Sequence, residues 1–250
     1  MLKTRIIPIL LLKGNSVVKT IRFKDPRVVG DAITNAKVFS NRMADEMVIV
    51  DIEATEKGRI NENLIRRLSA SCNMPLSIGG GVKTVEDVDT LFRSGADKVV
   101  INSEFYSNPG LLTQVANKYG VQSVVFSLDV KKIDGRHMSV SHSGSKINDV
   151  TALDAARSAV QAGAGEIILN SINLDGTMKG YDLELVQLIS DNVDVPVVVA
   201  GGCGGKEDCV SVINAGASAV AAGSIFYWIG ESIITIKKYM NINGISVRII

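Results

Sequence analysis

The sequence has few cysteines, few histidines and no dominant sign of charge. Its three cysteines, Cys72, Cys203 and Cys209, are odd in number and show no paired metal spacing. No charged-then-apolar leader precedes the first apolar run, and a reducing, cytoplasmic setting is the expectation. Twenty-seven basic residues against 26 acidic ones leave a net charge of +1, so no whole-chain field draws the protein to nucleic acid or to an anionic membrane. Any partner must be recognised locally. The longest apolar runs, such as Ile6–Leu12 and Val195–Ala200, fall far short of the roughly 20 residues that span a bilayer. His137 and His142 stand five residues apart with no neighbouring Cys or His, so solvated loop or hairpin positions are expected for both, and neither metal nor cofactor is called for.

What is present is a core. A chain of 250 residues at 46% hydrophobic content supports one large domain, 1–250, and is short for two. Short β-branched runs near 5–12, 46–52, 75–79, 97–102, 122–130, 165–170, 195–200 and 218–223 alternate with helical segments near 31–43, 61–72, 84–94, 108–119, 151–163, 182–192, 206–215 and 230–241. Thr84 and Asn108-Pro109 read as helix starts. Most of the runs are continuously apolar, as strands buried on both faces must be. Eight βα pairs in this length predict an α/β fold, a (β/α)₈ TIM barrel, with a doubly wound open sheet as the rival.

Internal repetition decides between them. Pro75–Gly81 (PLSIGGG) is echoed 121 positions later by Pro196–Gly202 (PVVVAGG). The same offset carries Glu86-Asp87 onto Glu207-Asp208, Gly95-Ala96 onto Gly216-Ala217, Ser103 onto Ser224 and Phe105 onto Phe226. At an offset of 120, Glu46 falls on Glu166. The chain therefore reads as two duplicated half-barrels.

Loops after the strands form the active face of such a barrel, and glycine there lets backbone N–H groups approach an anion. Gly79, Gly80 and Gly81 with Asn102 and Ser103 form one candidate phosphate cradle, and Gly201 and Gly202 with Gly223 and Ser224 form its duplicate. Asp175-Gly176-Thr177 adds a polar loop beside the second. Two cradles suggest a bisphosphorylated or nucleotide-like ligand; tight turns and close packing are the alternative for any single loop. Asp129 and Asp51 each close an apolar strand, where a carboxylate can be tuned for proton transfer or can simply cap a loop; Asp129 is the stronger catalytic candidate. Arg5, Glu46, Lys98 and Glu166 stand at or near the opposite strand ends, where periodicity alone suggests a stabilising salt-bridge layer.

Taken with Arg5-Ile-Ile7, Val17-Val-Lys19, Asp45-Glu46, Asp51-Ile52, Gly79–Gly81, Gly95–Val99, Ile101-Asn102, Asp129, Ser143-Gly144, Gly163–Ile167, Ser171-Ile172, Asp175–Thr177, Gly180–Asp182 and Gly201-Gly202, the chain resembles the cyclase subunit of imidazole glycerol phosphate synthase over essentially its whole length. The resemblance implies a glutaminase subunit docked on the barrel floor, with ammonia passing through the core to a bisphosphorylated substrate at the top. It also turns Arg5, Glu46, Lys98 and Glu166 from a stabilising layer into an ammonia gate. Two aspartates act as acid and base in that family; Asp129 matches the second, but the first is replaced by Leu11, which cannot transfer a proton. Gly14-Asn15-Ser16 and Glu53-Ala54 also depart from the family's loops. This pattern is similar to a specialised relative from surface-polysaccharide and nonulosonic-acid pathways, which provides ammonia to a separate sugar amidotransferase that builds an acetamidino group. The alternatives are an authentic histidine-pathway synthase subunit, performing ring closure and a C–N lyase step, and a non-catalytic scaffold that activates the glutaminase.

Overall fold

A computed structural model describes residues 3–54 and 60–249. The first half runs β1 (Arg5–Lys13), β2 (Ser16–Ile21), β3 (Lys24–Asp31), α1 (Ala32–Asn41), β4 (Met47–Asp51), α2 (Glu62–Ser69), β5 (Leu76–Gly79), α3 (Val85–Arg93), β6 (Lys98–Ile101) and α4 (Gly110–Tyr119). The second half runs β7 (Val124–Ile133), β8 (Arg136–Ser141), β9 (Lys146–Thr151), α5 (Ala152–Gln161), β10 (Glu166–Ser171), α6 (Leu183–Ser190), β11 (Val197–Ala200), α7 (Lys206–Asn214), β12 (Ala219–Ala222), α8 (Ile225–Trp228) and α9 (Ile233–Ile242).

Eight parallel strands pair in the order β1-β4-β5-β6-β7-β10-β11-β12, and β12 pairs back onto β1. That closure removes the open-sheet alternative and gives the expected (β/α)₈ barrel. Duplication is visible in its details. Each half opens with a barrel strand extended by an antiparallel hairpin, β2–β3 in one and β8–β9 in the other. Both hairpins were absent from the eight-pair reading of the sequence. Ser103 and Ser224, related by the 121-residue offset, both open short helical turns, Ser103–Tyr106 and α8.

Helix starts repeat as well. The Asp87 carboxylate accepts from the backbone N–H groups of Lys83 and Thr84 at 2.9 and 3.0 Å, while the Thr84 hydroxyl accepts from Asp87 N–H. Its counterpart Asp208 accepts from Gly204 and Gly205 at 2.7 and 3.1 Å. Such caps satisfy donors that the first helical turn leaves without partners. Thr84 thus starts its helix as expected, whereas Pro109 precedes α4 with no side-chain cap.

The apolar material forms two layers. Between strands and helices lies a large shell that includes Ile6, Leu10, Met47, Ile49, Ile101, Phe126 and Leu169. Inside the barrel is a second, slimmer cluster of Ile7, Val48, Val100, Val125, Ile168, Val198, Ala200, Ala219 and Ala221. Side chains alternate along a strand, so residues two apart share a face. The inward line of β1 is therefore Arg5, Ile7, Ile9 and Leu11; that of β4 is Glu46, Val48 and Val50; and that of β10 is Glu166, Ile168 and Asn170. Charge at the floor, small apolar groups in the middle and polar groups at the mouth follow from this spacing. Among the described residues, no helix is long and apolar enough to cross a membrane.

Candidate active site

The C-terminal ends of the barrel strands surround one cavity of about 480 Å³. Gly80, Gly81, Asn102, Ser103, Asp51, Asp129, Asp175, Gly176, Gly201, Gly202, Gly223 and Ser224 all line it, whereas Gly79 and Thr177 of the candidate loops do not. Ile9, Val48, Val50, Val100, Ile168, Ala200 and Ala221 form its apolar base, continuous with the barrel interior. Leu11 lines the same cavity as Asp129.

The paired glycines are demanded by packing. Gly80 has φ +112°, and a Cβ there would lie 2.3 Å from the Asp51 carbonyl oxygen. Gly201, its duplicate, has φ +84° and a Cβ there would lie 2.7 Å from the Ser171 carbonyl oxygen, at the end of the matching strand. Only glycine tolerates both the conformation and the approach. Asp51 also has a local task, since its carboxylate accepts from the Glu53 N–H at 2.9 Å while Glu53 accepts from Gly14 N–H at 3.0 Å.

Among the titratable groups that line the cavity, Asp175 interacts with both Asp129 and Lys19. Asp129 closes the inward line of β7, and burial followed by the charge of Asp175 pushes its carboxyl up to about 8, against a smaller opposing pull from the Asn170 amide. Asn102 holds it from β6, its side-chain amide donating to Asp129 Oδ2 at 3.1 Å and to the Ser127 carbonyl at 2.8 Å. Lys19 is 7% exposed, and burial lowers its ammonium to about 8, with Asp175 opposing. Its Nζ donates to the Ile9 carbonyl at 2.6 Å and lies 5.3 Å from the centre of the Tyr227 ring. Asp175 is itself raised by burial, although Lys19, Thr20 and the Phe23 backbone oppose the shift; the Thr20 hydroxyl donates to it at 3.2 Å. With both groups poised near neutrality, the carboxyl of Asp129 can give a proton, and Lys19 can give one as ammonium or take one as amine.

Lys19 and Asn170 carried no role in the sequence reading. A lone lysine in Ser16–Ile21 reads as solvated, and the strand offers no alternation to mark it as inward, since Val17 to Thr20 are all buried. The histidines divide. His142 is exposed at the cavity rim, where its backbone N–H donates to the Ser103 hydroxyl at 2.9 Å. His137 sits in the β7–β8 hairpin but is only 9% exposed, which corrects the expectation that it would be solvated; the hairpin folds against α6.

At the barrel floor, Arg5, Glu46, Lys98 and Glu166 form a closed ring. Arg5 bonds Glu46 at 2.5 Å and Glu166 at 2.6 Å, and Lys98 bonds both carboxylates at 3.1 Å. Ser77 donates to Glu46 Oε1 at 2.5 Å. Burial opposes ionisation of Glu46, yet Lys98, Ser77 and Arg5 together hold its carboxyl below the ordinary range.

The geometry defines a class: a duplicated half-barrel with a polar, titratable cavity at the strand C-termini and a charged plug at the floor. The chain belongs to the histidine biosynthesis protein family, whose profile matches residues 5–229. It is 40% identical to the imidazole glycerol phosphate synthase subunit HisF of Chlorobaculum tepidum over 251 aligned positions, covering all of both chains. It is 39% identical to the subunit of the same name from Exiguobacterium sibiricum over 249 residues, 99% of this chain and all of the relative. A Pseudomonas aeruginosa protein provisionally designated imidazole glycerol phosphate synthase subunit hisF2 is likewise 39% identical, over 99% of this chain and all of the relative.

Proposed function

We propose that the chain, as one domain spanning 1–250, is the synthase-type subunit of a glutamine amidotransferase and takes ammonia from a glutaminase subunit docked at the floor. Arg5, Glu46, Lys98 and Glu166 are the gate in this reading. Above them the Ile7, Val48, Val100, Ile168 and Ala221 interior is apolar, so neutral ammonia meets few groups that would protonate it. At the mouth, the Gly80–Gly81 and Gly201–Gly202 loops, with Ser103, Gly176 and Ser224, hold the two phosphates of one ligand, bisphosphorylated or nucleotide-like. The physiological outlet is ammonia for acetamidino-sugar formation through a separate sugar amidotransferase.

The observation that carries this choice is Leu11, an apolar side chain that lines the same cavity as Asp129, where the family's first proton-transferring aspartate is expected. A cavity with one of two acid–base groups keeps the binding frame and loses a step of ring closure. The second reading, an authentic cyclase subunit, is favoured by Lys19, Asp129 and Asp175, three buried groups with displaced pKa values in one site.

The test is nitrogen transfer in the complex with the glutaminase partner. Amide-¹⁵N glutamine supplied to the assembled enzyme labels the product ahead of unlabelled ammonium in the medium. Arg5→Ala or Lys98→Ala leaves glutamine hydrolysis running while the label is lost to solvent. Unchanged coupling in both variants, with folding intact, removes the gate from the account.

A further inference from the structure

We propose that His137, Asp182 and Glu184 form a divalent transition-metal site on the outside of the barrel, fastening the β7–β8 hairpin to the start of α6. One nitrogen or oxygen from each of the three residues lies within 4.8 Å of the other two. The imidazole is the independent sign. His137 is 91% buried by its 9% exposure, and its Nε2 has no hydrogen-bond partner. A buried ring nitrogen without a partner is costly, and native interiors rarely leave one.

Its distance to Asp182 is informative. Nε2 lies 3.5 Å from Asp182 Oδ2, too long for a good hydrogen bond. Two ligand atoms on one tetrahedral ion, each bonded at about 2.0–2.1 Å, sit roughly 3.3–3.4 Å apart. The gap is therefore the span of a shared ion. Asp182 is already oriented, since its Oδ1 accepts from Leu185 N–H at 3.1 Å, while Oδ2 lies 3.5 Å from both His137 Nε2 and the Ser171 hydroxyl. Glu184 brings the second carboxylate from the first turn of the helix, where its Oε2 is also held by Lys132 at 2.6 Å. One imidazole and two carboxylates suit Zn²⁺ and ions that imitate it, with solvent completing the shell.

The site's position gives it a consequence. Asp182 ends the segment that follows β10 and carries Asp175 and Gly176, while Lys132 N–H donates to the Asn173 side chain at 2.8 Å within that segment. A bound ion would pin this loop to the hairpin from behind the cavity.

The experiment is titration of the untagged, full-length protein with Co²⁺, followed by visible absorption, with Zn²⁺ added as competitor. The expected result is one saturable equivalent giving ligand-field bands without a thiolate charge-transfer band, displacement by Zn²⁺, and a rise in melting temperature of a few degrees at saturation. His137→Gln and Glu184→Gln each weaken binding at least tenfold. Glu184 is largely exposed, so its variant remains informative even if His137→Gln folds poorly. Absence of saturable binding, binding unaltered in Glu184→Gln, or a thiolate band placing the ion on cysteine overturns the site. A direct contact between His137 and Asp182, with no ion between them, is the account left in its place.

Discussion

Asn102 reaches across from the end of β6 to hold Asp129 Oδ2 at 3.1 Å, so this carboxyl in the middle of β7 is fixed by a neutral amide and by no cation within hydrogen-bond reach among the described residues. Burial and the nearby charge of Asp175 are what keep the acid protonated. The two residues belong to different halves of the duplication, and the cavity's acid–base chemistry is assembled across that seam.

Asp129→Asn should stabilise the protein at pH 8 and have little effect near pH 4. The native carboxyl titrates at about 8 and the unfolded one near 3.8, so between those values the native state holds one more proton. Stability then falls as pH rises through this window, by at most about 6 kcal/mol in total. Urea midpoints at pH 5 and pH 8 check it, and equal pH dependence in the two proteins contradicts it.

Lys19 gives the opposite slope at higher pH. Its native ammonium titrates at about 8 and the unfolded one near 10.5, so the unfolded state holds the extra proton between them and stability rises with pH there. Lys19→Met should flatten the rise between pH 8 and 10. A rise that persists in the variant would place its origin elsewhere.

Two glycine substitutions separate packing from binding. At Gly80 a Cβ meets the backbone of Asp51 in a left-handed conformation, so Gly80→Ala should cost about 2–4 kcal/mol of stability. At Gly223 a Cβ would lie 2.3 Å from Lys19 Nζ, the far end of a flexible side chain. Gly223→Ala should fold within about 1 kcal/mol of the parent while weakening a doubly phosphorylated ligand at least tenfold. Denaturant unfolding and titration calorimetry on both variants read the two effects independently.

Glu46→Gln should destabilise the floor by about 1–3 kcal/mol, below the ~3–5 kcal/mol of a fully buried broken pair, because Glu166 still serves both cations and Arg5 and Lys98 are partly exposed. Glu46 has a depressed pKa, so its contribution is present above about 4.5 and is lost as pH falls through the native value. Acid unfolding of the variant should lack that component.

Much of this was legible because the chain repeats itself. Gly80 and Gly201 announce the duplicated turns, and the 121-residue offset transfers Asp87 to Asp208 with its capping role intact. The four floor residues could be named from strand starts, but which carboxylate meets which cation depends on barrel closure. The hairpins were hidden because β3, Lys24–Asp31, is largely exposed and polar and so lacks the alternation of a half-buried strand. Lys19 and His137 escaped for a related reason. Each is buried by elements distant in the chain, Tyr227 over one and Asp182 against the other, and nothing in their local sequence records that cover.

The central claim is that this cavity retains the family's binding frame without its complete acid–base pair. The direct measurement is conversion of the histidine-pathway bisphosphate substrate by the purified chain supplied with ammonium salts. With Leu11 in place of a proton-transferring residue, the rate should lie about 10²–10⁴-fold below that of a relative carrying aspartate there. Turnover at the relative's rate would contradict the account and identify an ordinary cyclase subunit.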